Sequence, residues 1–182
     1  MNILQVKQKV MAYLDEIDSP SLLANIGDYI NKMYPIIDSV QKELAFMVCP
    51  VKKEQEVTAE SGELALPDDL YEITGIKGED GGTLTLYYRD NRTLKNVPDG
   101  TYTVSYNAIP ATIAAGTPDT YQLEIDEEGC EALIYGVCAL ICINDEPDLY
   151  VIYKNNYDIK CQNIIERKQS HSFVTITGGI DL

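Results

Sequence analysis

The chain has 182 residues, with 14 Lys+Arg against 29 Asp+Glu and a single His, a formal net charge of -15 at pH 7. Apolar residues at 45% and charged residues at 24% are ordinary globular usage, which excludes wholesale disorder, and the length suits one domain, or one with an appendage, whose core needs no disulfide or metal. The acidic balance disfavours tight nucleic-acid binding, because phosphate binders need clustered Lys and Arg to displace counterions.

The first predicted helix runs from about Asn2 to Ile17, where Ile3, Val6, Val10, Leu14 and Ile17 recur at three- and four-residue steps. Charges throughout this stretch argue against a secretory signal. Asp18-Ser19-Pro20 then reads as a break and a new cap, with Ser19 at the N-cap and Pro20 at the first helical position. The second helix carries a stripe from Leu22 through Ile26, Met33, Ile37, Val40 and Leu44 to Met47. Pro35 inside that stripe predicts a kink or a split into two shorter helices.

From Val51 to Leu123 the period drops to about two, with Gly, Pro, Asp and Asn as punctuation, so an antiparallel β region is expected. Glu54 to Thr58 reads as an edge strand. Tyr71 to Lys77 and Thr83 to Arg89 flank Gly78-Glu79-Asp80-Gly81-Gly82 as a hairpin, and Thr101 to Asn107 alternates Tyr102, Val104 and Tyr106 on one face.

Asp126, Glu127 and Glu128 open the next helix, where carboxylates favour the macrodipole. Its apolar run, Ala132 to Ile143, is too short for a membrane span, which needs roughly 20 residues. After Asn144-Asp145-Glu146-Pro147 a final helix from about Asp148 to Glu166 turns back to complete a helical hairpin. The expected class is therefore α+β. N-terminal helices and the C-terminal hairpin (1–50 and 124–166) pack as a bundle, 51–123 is an inserted β-rich region, and 167–182 is an extended arm. In that arm Phe173, Thr175 and Thr177 alternate against Val174 and Ile176, a pattern that pairs with a sheet edge, its own or a neighbour's, or stays free.

Chemistry-bearing patterns are few. Cys49, Cys130, Cys138, Cys142 and Cys161 form no CxxC pair, so no metal site is expected and the buried ones read as small core hydrophobes in a reducing compartment. The loop at Gly78 to Gly82 lacks a GKS or GKT ending and carries Glu79 and Asp80, which repel phosphate. His171 lies between Ser170 and Ser172 with no nucleophile motif around it. Asp68-Asp69 after Pro67 and Asp145-Glu146 before Pro147 read as turn chemistry. The expectation is a protein without catalysis or cofactor, working through surfaces.

Three stretches, in this order, resemble the head-tail connector or adaptor proteins of tailed bacteriophages, the tail-tubular type included. They are Leu66-Pro67-Asp68-Asp69-Leu70-Tyr71-Glu72-Ile73, then Gly100-Thr101-Tyr102-Thr103-Val104-Ser105-Tyr106-Asn107-Ala108-Ile109-Pro110, then Glu131-Ala132-Leu133-Ile134-Tyr135-Gly136-Val137-Cys138-Ala139-Leu140 leading through Pro147 into a Tyr-rich helix. With the helices around them they cover about Ser19 to Glu166. The resemblance implies a virion protein assembled in the bacterial cytoplasm, forming a ring, commonly of twelve subunits, between the portal protein and the tail proteins. DNA passes through its channel without tight binding, and neither membrane nor cofactor is involved. It also makes Phe173, Val174, Thr175 and Ile176 the candidate contact with a neighbour or the portal, with the loop Glu79, Asp80, Gly81 and Gly82 as a second candidate contact. A tail-completion or minor tail subunit, which would be dominated by sheet, and a small ligand-binding domain, which would need a deep pocket, are the alternatives.

Overall fold

The computed structural model describes residues 1–14, 27–85, 88–144 and 146–171. The protein is α+β, with four helices and one six-stranded antiparallel sheet among these described residues. It divides into a helical unit, Met1–Leu44 with Ile113–Leu182, and a β unit, Ala45–Thr112. The expected boundaries were 50/51 and 123/124. Residues 113–125 belong to the helical unit because they bury Ile113, Leu123 and Ile125 and hydrogen-bond to its first helix.

In the helical unit, α1 (Ile3–Tyr13) begins at Asn2, whose side chain accepts from the Gln5 amide at 2.9 Å. The Gln5 side chain returns the bond to the Asn2 amide at 2.9 Å, a reciprocal cap that satisfies two otherwise orphaned donors. Backbone bonds from Ile3 to Tyr121, Leu4 to Asp119 and Leu123 to Met1 lay the 113–125 segment along this end of the helix. The second helix, α2 (Gly27–Met47), runs through Pro35 as one element of 21 residues, roughly 32 Å at 1.5 Å per residue. Pro35 is exposed, so the bond it denies to the preceding turn faces water instead of the core. Residues 15–26, and with them the expected Ser19-Pro20 cap, lie outside the described residues.

Helix α3 (Glu127–Cys142) is capped by Asp126, which accepts from the Gly129 amide at 2.7 Å. It is buried on most of its circumference, through Cys130, Leu133, Ile134, Val137 and Cys138 among others, and so occupies the centre of its unit. Gly136 lets it do so: a Cβ there would lie 2.9 Å from Val40 Cγ1 and 3.0 Å from Tyr157 Cε2. Helix α4 (Pro147–His171) continues five residues past the expected end at Glu166. The expectation of an extended arm from 167 is corrected to this extent. Gln162 bonds Glu166 one turn on at 2.9 Å, Arg167 pairs with Glu128, and Lys168 pairs with Asp126 at 3.0 Å, so side chains hold the last turns in place.

In the β unit the strands are β1 (Val51–Glu60), β2 (Glu63–Ala65), β3 (Leu70–Gly78), β4 (Tyr88–Asp90), β5 (Thr93–Lys95) and β6 (Gly100–Ala108), in the order β3-β6-β1-β2-β5-β4. The stretch Glu54 to Thr58, expected as an edge strand, lies within the longer β1, paired with β6 from Val51↔Ala108 to Ala59↔Gly100, whereas β2 meets β1 only at Ala59 and Glu60. Only Ala59 of β1 is fully buried, as suits a half-solvated face. On β6, Val104 and Tyr106 enter the core with Leu64, Leu70, Ile76, Leu94 and Val97, while Tyr102 packs at its margin.

The expected pairing of Tyr71–Lys77 with a full strand over Thr83–Arg89 is also revised. Among the described residues only Lys77↔Thr83 and a bond from the Leu84 amide to the Ile76 carbonyl join the two, after which β4 pairs with β5. Of the two strands at the margins of the sheet, β4 has three residues, and β3 is interrupted between Leu70 and Glu72 and again between Ile73 and Gly75.

Candidate interaction surfaces

The loop Glu79-Asp80-Gly81-Gly82 closes on itself. The Gly78 amide donates to the Gly82 carbonyl at 2.9 Å, the Gly81 amide to the Gly78 carbonyl at 2.9 Å, and the Gly82 amide to Asp80 Oδ1 at 2.8 Å. Gly81 has φ +78°, a conformation that a side chain would strain. With Leu84, Asp99 and Tyr102 the loop lines an open cleft of about 380 Å³. Three carboxylates face it, but Asp80 is engaged by Gly82 and Asp99 by the Gly62 amide at 2.9 Å. The arrangement is acidic and self-satisfied, suited to contact and not to holding an anion.

Asp69, read from the sequence as turn chemistry, does accept that role: Leu70 donates back to the Pro67 carbonyl at 3.2 Å. Its carboxylate does more, receiving Lys53 Nζ on Oδ2 at 2.9 Å and the Tyr106 hydroxyl on Oδ1 at 2.9 Å. Burial opposes its ionisation, but the bonds from Lys53 and Tyr106 outweigh that and hold the carboxyl below its ordinary value. It has no proton to give near neutrality, and both oxygens are occupied.

The helical unit repeats the motif with other elements. Lys7, buried to 2% exposure, donates to Asp119 Oδ1 at 2.7 Å and lies 3.9 Å from the Tyr34 ring centre, while the Tyr34 hydroxyl bonds the same carboxylate at 3.1 Å. The Lys7 bond is the main reason that Asp119 also sits below its ordinary value. Two more tyrosines bind carboxylates, Tyr157 to Glu43 at 2.9 Å and Tyr121 to Glu124 at 2.7 Å. Burial first, and Glu124 next, push Tyr121 up to about 12, while burial first, then Cys161 and Glu43, raise Tyr157. The partners lie far apart in the chain, except for Tyr121 and Glu124, so little in the sequence marked them.

A second cleft, of about 620 Å³, is lined by Met1, Gln5, Gln8, Lys9, Ala12, Glu127 and Glu131, with Lys9 paired to Glu131 at 2.6 Å. In the β unit, the rings of Phe46 and Tyr71 stack with centres 4.5 Å apart beside Met47, which is 72% exposed. That apolar patch was not foreseen, because Met47 ends a helical stripe that reads as core. Phe173, Val174, Thr175 and Ile176 lie outside the described residues.

Among the described residues no group of His, Cys, Asp and Glu could hold a metal ion, and no helix is long and apolar enough to cross a membrane. No protein-family model matches the chain, and no curated protein sequence matches it.

Proposed function

We propose that the chain is a head-tail connector (adaptor) subunit of a tailed bacteriophage. It assembles as a ring in the virion, twelve subunits being common in the family that the sequence resembles, between the portal protein and the tail proteins. The observation that supports this reading best is the order of elements. Two helices, a β unit over Ala45–Thr112 and the helical hairpin of α3 and α4 follow the order on which the resemblance rests. A helical content of four helices among the described residues, against one sheet, also favours a connector over a minor tail subunit dominated by strands.

The role needs no reaction and no cofactor. A net charge of -15 suits a channel wall along which DNA slides without capture, because fixed carboxylates repel phosphate. The Glu79-Asp80-Gly81-Gly82 loop and the Phe173–Ile176 segment are the proposed contacts with neighbours or the portal.

Light scattering coupled to size exclusion tests the proposal on the full chain, alone and mixed with the portal protein encoded in the same genome. A ring-sized species, or co-migration with the portal, is the expected result. A chain that ignores both portal and tail proteins would sink the connector reading.

A further inference from the structure

Helix α4 is apolar on two opposite faces. Among its described side chains, Tyr157 and Ile164 are the fully buried ones, seven residues apart and packed into the helical unit. On the opposite face Ile152 and Ile159, also seven apart, stand 53% and 56% exposed. With Asn155 and Gln162 they recur at steps of three and four residues, the spacing of a coiled-coil seam. Exposed Val151 and Ile165 flank the seam on one side and Asn156 and Asn163 on the other. Asp158, the one charged residue in the flanking positions, is ion-paired along the helix to Lys154.

From Ile152 to Gln162 the seam itself therefore carries no charge, over roughly 15 Å of helix at 1.5 Å per residue, and Asp148 and Glu166 stand at the same spacing beyond its two ends, in a chain whose net charge is -15. Wherever two copies approach through their average surface, carboxylates meet carboxylates. This stretch admits close approach without that repulsion, and its Asn155 and Gln162 amides, exposed in the single chain, can bond one another across a helical interface. We propose that the Ile152–Asn155–Ile159–Gln162 seam of α4 docks against a second copy of this chain.

The proposal deepens the assembly reading by naming a contact between copies. The seam and its flanks supply nine residues, well below the roughly 20–30 a side of a standard interface, so a single contact is weak and gains strength when many copies are held together. It also fixes the salt dependence. Salt screens the repulsion between acidic copies and leaves an uncharged seam intact, so association strengthens as ionic strength rises.

Sedimentation equilibrium of the full chain, from about 10 µM to about 1 mM, reads both effects. The wild-type chain is expected to self-associate with concentration, more so at high salt. The double variant Ile152→Glu, Ile159→Glu is expected to weaken association at least about tenfold with an unchanged circular dichroism spectrum, because both side chains are exposed. Asn155→Leu, which makes the seam more apolar, is expected to strengthen it. A wild-type chain that is monomeric over the whole range, a double variant that associates as the wild type does, or association that weakens with salt would each overturn the seam. Co-migration with the portal protein is scored separately. A chain that binds portal but does not use the seam refutes this inference alone, and one that associates through the seam but ignores the portal refutes only the connector reading.

Discussion

Lys7 donates to Asp119 Oδ1 at 2.7 Å across 112 residues of sequence, a side-chain bond that joins the backbone bonds tying α1 to the segment that leads into α3. The two partners are unequally buried: the Lys7 side chain is 3% exposed and that of Asp119 is 43%. Removing one charge or the other therefore has unequal consequences. Asp119→Asn leaves a buried ammonium without its counter-charge and is expected to cost about 2 kcal/mol, below the 3–5 typical of a fully buried pair because water reaches Asp119. Lys7→Met removes the buried charge and leaves a carboxylate that water can solvate, so its cost is expected to be under half as large. Urea unfolding of the two variants checks the order, and Lys7→Met as the more damaging change would refute the argument.

The pH dependence has two limbs of defined sign. Asp69 and Asp119 are held below their ordinary values in the folded state, so the stability they add is complete above about pH 4 and is lost as pH falls through the lowered values. The urea midpoint should thus fall between about pH 5 and about pH 2, with a shallower fall in Asp69→Asn and Asp119→Asn. Tyr121 and Tyr157 are raised, so their contribution is complete below about pH 10 and is lost as pH rises toward 12 and beyond. Tyrosinate absorbance in the native protein should therefore lag behind that of the urea-unfolded chain. Coincident titrations would contradict the Tyr–carboxylate pairs.

Gly136 is the tightest position in the helical unit. Ala is the better helix former by about 1 kcal/mol, but its methyl would press on Val40 and on two atoms of the Tyr157 ring. Overpacking of this kind costs about 1–3 kcal/mol, so Gly136→Ala is expected to lower the thermal midpoint instead of raising it. A stabilised Gly136→Ala variant would mean that α3 and α4 can move apart freely.

All five cysteines are free thiols, and Cys49, Cys130, Cys138 and Cys142 are buried. Burial pushes Cys138 up to about 12 and raises Cys130, Cys142 and half-buried Cys161 as well. A thiolate-directed reagent near neutral pH should label the native chain slowly, at Cys161 first, and all five after unfolding. Rapid native labelling of Cys138, read by peptide mass, would show that α3 is not packed as described.

The parts legible in the sequence were those set by local pattern. Asn2 and Asp126 mark the starts of α1 and α3 because a cap is a bond across three residues, and β6 was legible because Tyr102, Val104 and Tyr106 alternate. What escaped was decided at a distance. The pairing of β1 with remote β6 along most of its length, and with β2 only at Ala59 and Glu60, is one case, and the roles of Lys7, Asp69 and Glu43 depend on tyrosines from remote segments. The exposed face of α4 escaped as well, since a helix with apolar residues all round carries no sign of which side its own fold takes. Of the proposed contacts, the loop at Gly78–Gly82 was legible from its glycines, but its inward bond from Gly82 to Asp80 was not.

The margins of the sheet have a consequence for crowded copies. A long, regular, unpaired strand offers main-chain amides and carbonyls as a template on which another chain can polymerise. Here β3 is broken by two irregularities, residues 82–84 already bond its far end, and β4 is three residues long. At these two margins, molecules gathered at high local density are thus kept from zippering backbone to backbone. Recognition between them is left to side chains, which can be selective and can let go.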